Sequence, residues 1–297
     1  MVKITEGFMN ALGFLCIAGC IVFTGIQNVA QKEYCNRLAG RGSLVFCAIS
    51  SFVCMLFFLV KALITDGLHF APEVLPYILL YGVGYCFASL CYLLAMENGP
   101  LSLTSLVLSF SLVIPTLYGI IVDNDPVGIK FYIGVTLLVV SILLINSRSE
   151  DMKISLKWVI FSLLTFFGNG LCGTVQTEQS NIYGSYYDDV FMILSLAIVV
   201  VTMTTIAFLY EKKDIKDAVV RGIPLISARG LSNAICNLTI MVAAAVGVGK
   251  SIMFPLISGG GIVVAWAISL LIYREKLSKS QNIAMVLGLV SIVLLSL

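Results

Sequence analysis

Arg229, Asn233 and Asn237 recur every four positions within an otherwise apolar stretch. On a helix that spacing stacks all three along one face. An arginine at the centre of a hydrocarbon-spanning helix costs about 2.5–3.5 kcal/mol on insertion scales. Such a stripe therefore faces the interior of a bundle or a wet cavity, not lipid. There the guanidinium could pair with an anionic substrate or a buried acid, and the two amides could hydrogen-bond a substrate. The same residues also fit a blander role, with Arg229 snorkelling to the headgroups and the asparagines tying helices together. Tyr81, Tyr85 and Ser89 show the same spacing earlier in the chain. Tyrosine offers a flat apolar face and a hydroxyl tip, which suits an aromatic or amphipathic molecule and equally suits packing.

Other polar groups stand in apolar runs. Thr24, Gln27, Asn28 and Gln31 cluster toward the end of one run; Asn169, Thr174, Gln176, Thr177 and Glu178 do so in another. Either set could line a cavity open to one side, or mark where a span meets water. Asn28 and Gln176 are the substrate-binding candidates among them. A carboxylate buried in a low dielectric holds its proton more tightly, so Glu178 is the candidate for a coupling proton. Pro115, Pro255 and the triplet Gly259, Gly260 and Gly261 are candidate hinges or close-packing points. Each glycine weakens a helix by about 0.8–1 kcal/mol relative to alanine and permits close approach of backbones. Asp188 and Asp189 read as the acidic start of a helix, where the dipole favours negative charge.

The elements that hold these residues follow from composition. Of 297 residues 59% are hydrophobic and 11% charged, against roughly 25% charged in a soluble domain. Lipid must be the main solvent. A net charge of +2 with no basic face argues against nucleic acid. The nine cysteines contain no C-x-x-C pair and no metal spacing; most lie in apolar runs as small hydrophobes. Neither a metal nor a cofactor is expected. The first run follows Lys3 without an A-x-A site and reads as a span rather than a cleaved signal peptide.

A spanning helix needs about 20 apolar residues to cross about 30 Å. Ten such runs are found, near 8–31, 43–65, 74–97, 101–122, 127–147, 155–178, 188–210, 222–246, 251–273 and 279–297. The expected fold is an all-α polytopic membrane protein of the cell membrane, its connections too short for a soluble catalytic domain. Thirteen of the eighteen Lys and Arg fall in the connections after odd-numbered runs or within three residues of them, which places both termini outside the cytoplasm.

The second half echoes the first at an offset near 148–150: Val139–Leu144 matches Leu289–Leu294, and Asp125 falls opposite Glu275. Five helices per half force the second copy to enter the membrane upside down. The chain is therefore expected to hold two inverted five-helix repeats, residues 1–150 and 151–297, with a site between them near the midplane. Phe254-Pro255-Leu256-Ile257-Ser258-Gly259-Gly260-Gly261, followed by Tyr273-Arg274-Glu275-Lys276-Leu277-Ser278 and a last apolar helix, resembles the second half of an EamA-like protein of the drug/metabolite transporter superfamily. Ile114-Pro115-Thr116-Leu117-Tyr118-Gly119-Ile120 resembles the matching stretch of the first half. Asp125 stands where the family usually has Glu. The resemblance implies a secondary carrier of small metabolites or drugs that works by alternating access without ATP, and no phosphate-binding loop is present. Its partners would be the bilayer, a small-molecule substrate and a coupling proton; its oligomeric state is left open. A channel or non-transporting scaffold fits the same helices. An intramembrane transferase would need paired acidic motifs, and Asp123-Asn124-Asp125 is too short and unrepeated to serve.

Overall fold

The computed structural model describes residues 2–38, 41–65, 67–98, 107–108, 110–145, 155–271 and 279–296. Among them lie ten α-helices and no strand: α1 Val2–Leu38, α2 Ser43–Thr65, α3 Leu75–Asn98, α4 Val113–Ile121, α5 Ile129–Ile145, α6 Leu156–Tyr183, α7 Asp188–Tyr210, α8 Ile215–Ala245, α9 Lys250–Leu271 and α10 Lys279–Ser296. Six stretches are long and apolar enough to cross a membrane: Ala11–Gln31, Ser43–Thr65, Pro72–Ala95, Leu156–Tyr186, Asp188–Tyr210 and Ile215–Ala245. Hydrocarbon leaves backbone groups no partner but one another, which is why these apolar runs are helical. Their outward faces carry Leu15, Val22, Val60, Ile64, Val201 and Phe208, all exposed, as a lipid-facing surface requires.

The α2 and α7 boundaries coincide with the expected runs, whereas α1, α6 and α8 are longer. Hydropathy ends where polar residues begin, but backbone hydrogen bonding continues while side chains find partners. Tyr34, on the polar extension of α1, donates from its hydroxyl to the Gly42 carbonyl at 2.8 Å, and its ring lies against that of Phe46, tilted by 41° with centroids 4.3 Å apart. The early turns of α8 bury Ala218 beside that turn. Most of the expected run 101–122 before Val113 lies outside the described residues.

Helix α1 packs on α8 and α9, α2 on α7 and α8, α3 on α6 and α7, α4 on α6 and α9, and α5 on α10. The largest buried cluster joins α2, α3, α6, α7 and α8 through Phe58, Ile78, Tyr81, Phe191, Leu196 and Met241. A second joins α1, α5, α8 and α9 through Ile17, Phe131, Met253 and Phe254.

The start of α2 is held from outside. Glu211, just past α7, accepts from the Leu44 N–H at 3.0 Å and the Val45 N–H at 3.0 Å. These are two of the four donors a helix start leaves without partners. Glu211→Ala should cost about 1–2 kcal/mol. A fall in the melting temperature of the detergent-solubilised protein checks this; an unchanged temperature would exclude the cap.

Candidate functional site

Two polar assemblies occupy opposite ends of the bundle, with a buried layer between them. The first is a cavity of about 140 Å³. It lies where α2 and α6 begin and α1 and α3 end, lined by Gln31 and Tyr34 of α1, Phe46 of α2, Tyr85 and Ser89 of α3, Asn169 of α6 and Arg229 of α8. Because α8 begins at Ile215, Arg229 lies about four turns inside it, too deep to be read as a helix-end residue. Its side chain turns onto α2. Nη1 donates to Ser50 Oγ at 3.2 Å, and the guanidinium carbon sits 5.2 Å from the Phe46 ring centroid, a cation–π distance. Nε is buried with no hydrogen-bond partner. Among the described residues no carboxylate pairs with Arg229.

The buried layer comes next. The Tyr81 hydroxyl donates to Asn237 Oδ1 at 3.4 Å, and Gln176 Nε2 donates to the same oxygen at 3.0 Å. Asn237 Nδ2 donates in turn to the Asn233 carbonyl at 2.9 Å. Tyr81 stacks on Tyr85 with centroids 6.0 Å apart. Thus α3, α6 and α8 meet through Tyr81, Gln176 and Asn237, which satisfy one another. Asn233 is half-buried, while Asn28 is exposed on α1 away from the cavity.

The second assembly centres on Lys250, the first residue of α9. Its side chain is 1% exposed. Nζ donates to Asp123 Oδ2 at 2.8 Å and to Glu178 Oε2, and it lies 4.6 Å from the Tyr118 ring centroid. Asp123 follows α4, and Glu178 is near the end of α6. Asn124 adopts φ 56°, a left-handed conformation that asparagine tolerates. The reversal brings both neighbouring aspartates to the start of α9, where Asp125 Oδ2 accepts from the Ser251 N–H at 2.9 Å. Gly119 makes this approach possible: a Cβ there would stand 2.6 Å from Asp125 Oδ2 and 2.8 Å from Lys250 Cβ. At the same end, Lys61 donates to both Asp189 oxygens at 2.7 Å, and Ser180 Oγ donates to Asp188 Oδ1 at 2.9 Å. The two aspartates do more than begin a helix: one ties α2 to α7 and the other ties α6 to α7.

Sequence reasoning singled out Glu178 but missed Lys250 and the role of Asp123. One signal was present. Lys250 and Arg229 are the only charges between Arg221 and Arg274. Pro115 and Pro255 are both buried. Gly260 lies against α1, where a Cβ would meet Ile21 Cδ1 at 2.3 Å; Gly261 has nothing within 4 Å of the same position, and Gly259 is buried.

Comparison with known proteins agrees with the helical architecture. A solved crystal structure superposes with a TM-score of 0.77 at 11% sequence identity, covering 97% of this chain and 96% of that one; at that identity the likeness establishes the fold alone. No curated protein matches. Residues 11–147 match the EamA-like transporter family. With six apolar spans the chain is a multi-pass integral membrane protein, and its residues 11–147 are similar to the EamA-like transporter family of the drug/metabolite transporter superfamily.

Proposed function

We propose that this protein is a secondary carrier of small molecules that works by alternating access, with its substrate in the cavity beside Arg229. The observation that carries the reading is a division of labour along α6. Thr165 and Asn169 line the cavity, while Glu178, about 14 Å further along the helix, joins Asp123 and Lys250 in closing the opposite end. An open pocket at one end and a cross-linked seal at the other is the arrangement a carrier holds in one of its two states. Arg229, Tyr85 and Ser89 contact substrate; Tyr81, Gln176, Asn233 and Asn237 form the layer that must part for passage. Asn28 does not line this cavity.

The helix pairing supports two inverted five-helix repeats and ten crossings. Advancing each helix by five exchanges α1 on α8 with α6 on α3, and α1 on α9 with α6 on α4; it exchanges α2 on α8 with α7 on α3 and returns α2 on α7, α4 on α9 and α5 on α10 to themselves. The cavity lies toward the end where Arg37, Arg41, Lys212 and Lys213 lie, so by the charge rule it faces the cytoplasm. Pro115 and Pro255, in helices that pack on each other, and the Gly259–Gly261 triplet are the places where bending is accommodated.

Glu178 is the proposed proton carrier. A proton on it releases one of the two carboxylates from Lys250 and loosens the seal, which couples protonation to opening. The experiment is uptake into proteoliposomes. Flux should saturate, exchange should accelerate when substrate is present on the far side, and a pH gradient should drive accumulation. Glu178→Gln should abolish gradient-driven accumulation and leave exchange intact. Flux that rises linearly and shows no trans-acceleration would identify a channel instead.

A further inference from the structure

We propose that the substrate is a small organic monoanion, one carboxylate on a flat apolar body; this rests on the carrier reading above for its passage but not for its binding. Arg229 carries the only formal charge among the described residues lining the cavity. Both deeply placed cations of the apolar stretches could hold an anion in principle, and their surroundings separate them. Lys250 is neutralised by Asp123 and Glu178, so an anion there would have to displace two carboxylates. Arg229 has a serine hydroxyl and an aromatic face as partners, and neither cancels its charge. A guanidinium presents five donors in a planar fork matched to a carboxylate. With one donor on Ser50 and Nε donating to nothing, it holds spare capacity that an anion would fill.

The remaining walls set the rest of the molecule. Phe46, Tyr85 and Tyr92 supply ring surface, while Ser89 and Asn169 supply hydroxyl and amide groups. Among the described residues no carboxylate lines the cavity, so an ammonium would enter unpaired at the cost of its hydration, which disfavours cationic drugs and zwitterions. A volume of about 140 Å³ is below the roughly 300–1,000 Å³ of pockets for drug-sized ligands. Size and the single cation together exclude nucleotides and other polyanions.

The test uses three probes of one shape and different charge: benzoate, benzamide and benzylamine. Binding is followed on the purified full-length protein by calorimetry, and exchange in proteoliposomes. Benzoate should bind, with benzamide and benzylamine weaker by at least about tenfold, the discrimination expected for losing a charge-assisted bond. Arg229→Gln should lose at least tenfold in benzoate affinity, with the melting temperature of the empty protein reporting that it is folded. Arg229→Lys should recover part of the affinity. Benzamide or benzylamine binding as tightly as benzoate, or a folded Arg229→Gln that keeps benzoate affinity, would overturn the proposal. So would the absence of benzoate binding to the folded parent. Arg229-dependent benzoate binding without any exchange would uphold the ligand class and reject the carrier; exchange of benzylamine instead would do the reverse.

Discussion

Lys250→Met should stop exchange and lower the melting temperature of the detergent-solubilised protein. The lysine ammonium is shielded from solvent and shared by two carboxylates. Methionine replaces the stem but leaves Asp123 and Glu178 facing each other without a cation. Removing one partner of a fully buried pair costs about 3–5 kcal/mol. Here the carboxylates remain 24% and 22% exposed, and water relieves part of that, so about 2–3 kcal/mol is expected. The sign of the coupling is the sharper check. Adding Glu178→Gln to Lys250→Met removes one of the repelling charges and should raise the melting temperature above that of Lys250→Met alone, although Glu178→Gln in the parent should lower it. Neither Lys250→Met nor the double variant should show exchange, because both lack the lysine that closes the seal. A Lys250→Met protein as stable and as active as the parent would show that the three groups merely share a water-facing surface.

Gly230→Val should be the most damaging small-residue change on the cavity side. Helix α8 crosses α2 there so closely that even a Cβ would stand 2.5 Å from the Ser50 carbonyl oxygen and 2.7 Å from Val53 Cβ. A backbone oxygen cannot rotate away as a flexible side chain can, so α2 and α8 must separate. Overpacking of this kind costs about 1–3 kcal/mol. It also moves Ser50 and Phe46, the partners of Arg229, so ligand affinity and melting temperature should fall together. Gly261→Ala provides the contrast. Nothing lies within 4 Å of a Cβ at that position, and alanine favours the helix by about 0.8–1 kcal/mol. Its melting temperature should hold or rise. Slower exchange in that stable variant would mark Gly261 as a point of bending, whereas unchanged exchange would leave it a packing residue. A Gly230→Val protein with parental stability would mean that α2 and α8 do not approach as described.

Much of the fold is legible without coordinates because lipid imposes a one-dimensional rule: apolar length sets helix length. The rule placed α2 and α7 to the residue. It missed the extra turns of α1 and α8, where Tyr34 against Gly42 and Ala218 stabilise helix by contacts that hydropathy does not register. The stripe of Arg229, Asn233 and Asn237 was legible as a periodicity, but its members part company in space. Arg229 faces the cavity, while Asn237 is spent on Tyr81 and Gln176. A repeat of four residues identifies a face of a helix, and that face meets different neighbours at different depths.

From composition and spacing alone came the solvent, the helical class and the approximate limits of the spans, and short contiguous motifs carried the family resemblance, since each is local in the chain. Only the tertiary structure joined Lys250 to Asp123 and Glu178, residues far apart in the chain, and only it left Arg229 without an acid among the described residues. The reason is physical: a charge in an apolar run announces that it needs a partner, but the identity of that partner depends on which helices pack together, and hydrophobic packing among similar apolar surfaces carries little of that information in any one segment.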